Sequence, residues 1–115
     1  MTAFRRGTIA RVPFPYTDLP TLQHRPVLVV ATGLGPNGDK LWVVMVTSAE
    51  NRRWPGDVSL ERDHKKAGLP SPSYIRTEKI TAIEERLAEW RGQINEDLLA
   101  EVQVKLASHL NLPVS

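Results

Sequence analysis

Arg25 is the first residue of this sequence whose position points to chemistry. It precedes Pro26 and a run of apolar, mostly β-branched residues in the segment HRPVLVV. Because proline restricts the preceding residue to extended backbone, we expect Arg25 to be held rigidly at the rim of the fold, directly before a buried strand. A planar guanidinium in that position is suited to holding phosphate oxygens. A solvated loop charge is the alternative interpretation, and it is stronger for the neighbouring His24.

Hydroxyl, guanidinium and carboxylate groups follow in two later segments. Thr47 and Ser48 end the segment LWVVMVTS, where hydroxyls can hold a phosphate or simply satisfy backbone groups at a strand end. In SYIRTEKITAI, Arg76 and Glu78 stand two residues apart, which predicts that both side chains emerge on one face of a strand. That pairing suits acid/base chemistry, and an ordinary surface ion pair is the alternative.

A third group of candidates lies in the polar segment ENRRWPGD. Arg52 and Arg53 stand beside Trp54, so guanidinium groups and an aromatic plane could form a platform on which nucleic-acid bases stack. A loop tryptophan also commonly folds back over a core, and packing is therefore the competing interpretation.

Motifs for metals and cofactors are absent from the sequence. The histidines at 24, 64 and 109 lie in separate segments without ligand spacing, and no acidic residues form a calcium loop or a helical zinc motif. The run GLGPNG lacks the following helix and the Lys-Ser/Thr ending of a phosphate loop, so it is predicted to be a turn. We expect neither a metal nor a cofactor.

The composition indicates one small domain. The 115 residues can bury one modest core and are too few for two, so residues 1–115 are expected to form a single domain. The absence of cysteine suits a reducing compartment, and the cytoplasm is the default. No segment has the length and apolar character of a signal peptide or a membrane span, so no membrane partner is expected. The net charge of +2 does not distinguish a nucleic-acid-binding protein from other small soluble proteins.

Five to seven strands and one helix are predicted to position these residues. The first strand, TIARVPF, ends at two prolines, because proline cannot donate to a strand ladder. PVLVVATG from Pro26 and LWVVMVTS from Leu41 are typical of strands buried on both faces, and an Asn37-Gly38 turn should pair them as a hairpin. VSL is a short strand candidate.

The last elements follow a second polar loop. The strand that begins at Ser73 is expected to bend near Lys79, and a final short strand ends near Gly92. Asn95 is the predicted N-cap of a C-terminal helix, and Trp90 is expected to serve packing or a subunit contact. The apolar stripe of that helix consists of Leu98, Leu99, Val102, Leu106 and Leu110. These elements predict a mainly β fold with one helix, most simply a small half-open barrel.

In this order, the segments resemble the PemK/MazF family of toxins from type II toxin-antitoxin systems. The resemblance runs almost from end to end, through RGTIARVPFPYTDLPTLQHRPVLVVA, WVVMVTS, GDVSL and AGLPSPSYIRTEKITAI. It implies an SH3-like small β-barrel of the PemK, MazF and CcdB type with a C-terminal helix. One departure lies in the first loop, where this sequence has Asp18-Leu19-Pro20-Thr21. Many family members have a small residue or histidine followed by Glu-Gln there, so the difference indicates a separate branch of the family.

The resemblance also implies a function. Family members are mRNA interferases, which are homodimeric, sequence-specific endoribonucleases that cleave single-stranded RNA without metal, inhibit growth and are neutralised by a cognate antitoxin. Carried over residue by residue, the site consists of Arg25, Thr47, Ser73, Arg76 and Glu78. The residues expected to bind RNA around the catalytic set are His24, Ser48, Arg52, Arg53, Trp54 and Ser73.

The expected mechanism uses the RNA's own 2′-hydroxyl as the nucleophile. Glu78 would remove its proton, Arg25 and Arg76 would hold the non-bridging oxygens, and Thr47 and Ser73 would position the phosphate. The product would be a 2′,3′-cyclic phosphate. Two alternatives remain open: a barrel that binds nucleic acid or protein without chemistry, and a toxin of the same fold that acts on a topoisomerase.

Overall fold

In the part of the chain that the structure describes, alternating and continuous apolar segments form six strands of one antiparallel sheet. The computed structural model describes residues 4–14 and 23–113. The strands are β1 Thr8–Phe14, β2 Gln23–Leu34, β3 Lys40–Ser48, β4 Asp57–Ser59, β5 Ser73–Glu84 and β6 Glu89–Gln93, and the helix is α1 Glu96–His109. A 3-10 turn, Glu85–Leu87, joins β5 to β6. These elements confirm the predicted mainly β fold, and the Asp18–Thr21 departure lies outside the described residues.

The strand order is β4-β5-β3-β2-β1-β6, so the β2–β3 hairpin is central as predicted. Within residues 4–14 and 23–113, no pairing joins the edge strands β4 and β6. The sheet is therefore open, and "barrel" describes it only approximately. The predicted bend near Lys79 is confirmed: β5 bulges there, because Met45 pairs with Arg76 whereas the adjacent Val44 pairs with Ile80.

Both faces of the sheet bury apolar side chains, which explains why β2 and β3 are continuously apolar. On one face, which we call the helix face, Leu28 and Val44 pack with Val102 of α1. On the other, which we call the Phe14 face, Val27 and Val43 pack with Phe14. Since successive side chains of a strand point to opposite faces, this division assigns a face to each polar residue at the strand ends.

Helix α1 is capped and packed largely as predicted. The side chain of Asn95 accepts a hydrogen bond from the amide of Leu98 at 2.8 Å, and Val102 is fully buried. Leu110 departs from the predicted stripe: it is 66% exposed, because the helix ends at His109 and Leu110 lies beyond it. No helix in the described part of the chain is long and apolar enough to cross a membrane.

Candidate phosphate-binding site

Arg25 lies near the start of β2, opposite Val12 of β1, and its side chain is exposed. Its guanidinium stands over the ring of Phe14, 5.2 Å from the centroid, and donates to Gln23 Oε1 at 3.2 Å. These contacts orient the group on the Phe14 face. Among the described residues Arg25 has no further side-chain partner, so most of its five N–H donors are available to a ligand.

Thr47 lies on the same face as Arg25. The β2–β3 register sets Val27 opposite Met45, and both side chains lie on the Phe14 face. Arg25 and Thr47 each lie two positions along their strand from this pair, so alternation places both on the same face. Thr47 Oγ1 accepts a hydrogen bond from Asn51 Nδ2 at 2.6 Å. Its own proton remains free to donate, because a hydroxyl both accepts and donates.

An aromatic ring and a second guanidinium continue this row of side chains. Tyr74 of β5 pairs with Thr47, so it shares the Phe14 face, and the guanidinium of Arg53 lies over its ring at 5.4 Å from the centroid. We call Arg25, Thr47, Tyr74 and Arg53 the Arg25 strip. It combines two cations, a hydroxyl donor and an aromatic plane, which together suit a phosphate and an adjacent base.

Arg76 has a different environment, because it is buried in an ion pair with Asp57. Its Nε donates to Asp57 Oδ1 at 3.2 Å, and its Nη2 donates to Asp57 Oδ2 at 3.0 Å and to the carbonyl of Arg52 at 2.7 Å. The ring of Trp54 covers the guanidinium at 4.1 Å from the centroid, and the Trp54 amide donates to Asp57 Oδ2. Arg76 is only 8% exposed, and its three hydrogen bonds hold the 52–57 loop in place.

Arg76 and Glu78 do not form the expected pair on one face. The bulge in β5 interrupts the alternation between them, and Glu78 lines a groove on the helix face, which we call the helix-side groove. Glu78 Oε1 accepts a hydrogen bond from the Gly56 amide at 3.3 Å.

The neighbouring Thr77 links the same loop to the end of α1. Its hydroxyl donates to the Gly56 carbonyl at 2.6 Å and lies 2.9 Å from His109 Nε2. Since the hydroxyl proton of Thr77 is used, His109 must donate in this contact.

Arg25 and Glu78 consequently do not converge within one chain. The helix-side groove, about 530 Å³ in volume, includes Val30, Trp42, Leu106 and Glu78, whereas Arg25 and Thr47 lie across the sheet on the Phe14 face. The Glu78 carboxylate and the Arg25 strip of one chain therefore lie on opposite faces of the sheet.

The remaining candidates are distributed over both faces. Ser48 and Ser73 pair with each other in the alternation of the helix face. The Ser48 hydroxyl accepts from the Glu50 amide and the Ser73 hydroxyl donates to the Ser71 carbonyl, so both serve the backbone. His24 lines a separate cavity on the helix face. The side chain of Arg52 is exposed.

Sequence reasoning missed Tyr74 and Asp57. Tyr74 joins the Arg25 strip only because β3 and β5 pair in a particular register. The sequence predicts Asp57 only as the last residue of the polar segment ENRRWPGD, and its place between a basic loop and a strand candidate is the one local signal of its ion pair with Arg76. Among the described residues, no three His, Cys, Asp or Glu side chains are close enough together to hold a metal ion.

The fold and the strip define a small β-sheet protein with a surface suited to phosphate. A family model described as "PemK-like, MazF-like toxin of type II toxin-antitoxin system" matches residues 5–110. The match covers nearly the whole chain, and the chain therefore belongs to this toxin family. No curated protein matches the sequence.

Solved structures with the same fold are consistent with that assignment. An endoribonuclease from a Mycobacterial species, in complex with its cognate antitoxin, superposes with a TM-score of 0.71 at 19% identity over 100% of both chains. A MazE-MazF complex from Deinococcus radiodurans gives a TM-score of 0.71 at 23% identity over 98% of this chain and 100% of that chain. The Mycobacterium tuberculosis toxin MazF-mt6 gives 0.71 at 16% identity over 93% and 99%.

Proposed function

We propose that this protein is an mRNA interferase, a toxin that inhibits growth by cutting single-stranded RNA at short specific sequences without a metal. The Arg25 strip is the observation that carries the proposal, because it presents two guanidinium groups, each with one hydrogen bond to the protein, and a hydroxyl beside an aromatic ring. Membership in a toxin family supports it. So does the similar Mycobacterial structure, which is described as an endoribonuclease.

The proposed reaction is an intramolecular transfer within the RNA. The 2′-hydroxyl gives up its proton to water as its oxygen bonds to the adjacent phosphorus, and the bond from phosphorus to the 5′-oxygen breaks. The departing 5′-oxygen takes a proton from water, which leaves a 2′,3′-cyclic phosphate and a 5′-hydroxyl. Arg25 and the Thr47 hydroxyl would donate to the non-bridging oxygens, where negative charge develops. Removal of one such donor costs about 100- to 1000-fold in rate in other enzymes.

Glu78 and Arg76 have other roles in this proposal than the sequence predicted. Glu78 lies on the helix face, where it accepts the Gly56 amide, so it is not assigned as the base at a phosphate bound by Arg25. Arg76 uses Nε and Nη2 in the 52–57 loop and acts by positioning Arg53 and Trp54 rather than by touching the phosphate.

An unpaired strand fits the Arg25 strip better than a duplex does. Tyr74 and Trp54 can stack only on bases that are splayed out, and in a duplex the bases stack on one another. Trp54 is 37% exposed, so part of its ring remains accessible while the rest covers Arg76. We therefore expect Tyr74, Arg53 and Trp54 to set the preference for short sequences.

The proposed partners are a cognate antitoxin and a second copy of the chain. MazE-MazF complexes and an endoribonuclease bound to its cognate antitoxin are among the similar structures. Trp42, Ile80 and Leu110 are exposed apolar side chains that line the helix-side groove. Exposed apolar residues gathered in one place are typical of subunit contacts, which supports a homodimer.

The decisive experiment is incubation of the protein with a long single-stranded RNA in EDTA, followed by mapping of the cut ends. We expect cuts at one short motif with 2′,3′-cyclic phosphate ends, little cutting of the same sequence in a duplex, and no cutting by Arg25→Ala. RNA that is bound but left intact would favour a binding module. If RNA is neither bound nor cut, capture of a topoisomerase by the toxin would favour the other alternative.

A further inference from the structure

A second cationic site lies on the helix face, away from the Arg25 strip. It is a cavity of about 500 Å³ whose lining includes three basic side chains and three apolar walls: Arg11, His24, Arg91, Pro26, Leu69 and Pro70. We call it the Arg11 groove. Its lining includes no acidic residue, whereas the helix-side groove contains Glu78.

Strand register brings the three basic residues together. Arg11 pairs with Pro26, and His24 pairs with Pro13, so Arg11 and His24 lie two positions apart on neighbouring strands and on one face. Arg91 falls in a β-bulge, because Ile9 pairs with Gly92 whereas Ala10 pairs with Trp90. A bulge re-aims the side chain of the extra residue, and here it directs Arg91 to the cavity.

Two glycines fix the opposite wall of the Arg11 groove. A Cβ at Gly68 would collide with the Arg91 carbonyl oxygen, and a Cβ at Gly92 would collide with the Ala67 carbonyl oxygen. Gly68 also has a φ of +79°, a conformation that favours glycine. The backbone of residues 67–70 therefore packs directly on β6 and holds Leu69 and Pro70 beside the basic side chains.

The cations of this groove are available to a ligand. Among the described residues, the side chains of Arg11 and His24 have no hydrogen-bond or ion-pair partner. Arg91 pairs only with Glu89, at 3.1 Å, and both side chains are exposed to solvent, so this ion pair is weak. Unpaired cations in a concave site with apolar walls suit a phosphate with its attached ribose or base.

We propose that the Arg11 groove binds a flanking phosphate of the same RNA strand whose scissile phosphate lies at the Arg25 strip. The inference rests on the proposed function, and its geometric basis is the adjacency of His24 and Arg25. The side chains of these neighbours in β2 point to opposite faces of the sheet. An RNA strand that passes over the start of β2 therefore contacts both sites. An extended polyanion fits this arrangement better than a single small anion does.

The test uses an RNA decamer with 2′-O-methyl groups, which lacks the nucleophile and therefore cannot be cleaved. Binding of the labelled decamer is measured by fluorescence anisotropy at several salt concentrations for the wild type, Arg11→Gln and Arg91→Gln. Lys105→Gln on α1 is the matched control, because it removes one positive charge and lines none of the sites described here. Neither arginine is part of the Arg25 strip, so cleavage at saturating RNA should persist.

We expect each groove variant to bind about tenfold more weakly, the effect of one charged hydrogen bond. The slope of log affinity against log salt should fall by about 0.7 for each lost phosphate contact. Lys105→Gln should retain wild-type binding. Equal binding by all four proteins would overturn the proposal, and so would a loss in Lys105→Gln equal to that in the groove variants. The proposal would also fail if poly-glutamate competed for binding as strongly as an RNA of equal charge.

Failure of this inference can be told apart from failure of the proposed function. If the wild type binds the decamer and the groove variants do not, but unmodified RNA is never cut, the Arg11 groove stands and the nuclease proposal fails. If unmodified RNA is cut while the groove variants bind as the wild type does, the nuclease proposal stands and the groove is not a subsite.

Discussion

Arg76 and Arg25 are arginines on strands of one sheet, yet their surroundings are opposite in burial and in pairing. Arg76 makes three hydrogen bonds, two of them to Asp57, and lies under Trp54. Arg25 makes one hydrogen bond, to Gln23, and is exposed. A buried charge must be paired, and most of its donors are then engaged within the protein. An exposed, partly oriented charge keeps most of its donors for a ligand. Pairing rather than residue type therefore separates the arginine that stabilises the fold from the one proposed to bind RNA.

The largest expected effect comes from breaking the buried ion pair. Asp57→Ala leaves the guanidinium of Arg76 buried without its carboxylate, and we expect the free energy of unfolding to fall by about 4 kcal/mol. Urea unfolding monitored by tryptophan fluorescence measures the change.

A paired replacement keeps this prediction testable if Asp57→Ala does not fold. A buried ion pair can often be replaced by apolar residues of similar volume without loss of stability, so Asp57→Leu combined with Arg76→Met should recover most of the loss. Wild-type stability of Asp57→Ala would show that the ion pair does not hold the 52–57 loop.

The second effect concerns the hydroxyl of the Arg25 strip. Thr47→Val keeps the shape of the side chain but removes a donor to the phosphate, and we expect the single-turnover cleavage rate to fall by about 100-fold. Stability should fall by only about 1 kcal/mol, for the lost hydrogen bond from Asn51. Thr47→Ser retains the hydroxyl and should cleave normally, and equal cleavage by the valine variant would remove Thr47 from the site.

A smaller effect is expected at the aromatic part of the strip. Tyr74→Leu removes a ring on which a base can stack, which is worth about 1–2 kcal/mol per base, so KM for a short RNA should rise about tenfold. Tyr74→Phe keeps the ring and serves as the control. If both variants raise KM equally, the phenolic hydroxyl rather than stacking is responsible.

The smallest effect sharpens the comparison between buried and exposed ion pairs. Lys40 lies 3.3 Å from Glu84 and 3.5 Å from Asp39, and these side chains are partly exposed. Glu84→Gln should therefore lower the free energy of unfolding by less than about 1 kcal/mol. This loss is much smaller than the one expected for Asp57→Ala. A loss as large as that of Asp57→Ala would contradict the argument that burial sets the value of each ion pair.

Local features of the sequence predicted the strands, the helix and three of the four residues of the Arg25 strip. Apolar runs mark β2 and β3, Asn95 marks the start of α1, and Arg25 and Thr47 each adjoin a buried strand, so their positions follow from those strands alone. The register between β2 and β3 then places the two side chains on one face.

Non-local pairing explains what could not be predicted. The partnership of Asp57 with Arg76 depends on how β4 pairs with β5 across a long loop. The bulge in β5, opposite Val44 and Met45 of β3, interrupts simple alternation and separates Glu78 from Arg76. The Arg11 groove likewise depends on the backbone contact between Gly68 and Gly92, which are far apart in sequence.

One paired measurement tests the central distinction most directly: RNA cleavage per folded molecule and urea unfolding, both determined for Arg25→Gln and Arg76→Gln. We predict that Arg25→Gln loses at least about 100-fold in cleavage rate with stability within about 0.5 kcal/mol of the wild type. Arg76→Gln should instead lose about 3 kcal/mol of stability while its folded fraction still cuts RNA. Wild-type cleavage by Arg25→Gln, or loss of cleavage by a fully stable Arg76→Gln, would contradict the account.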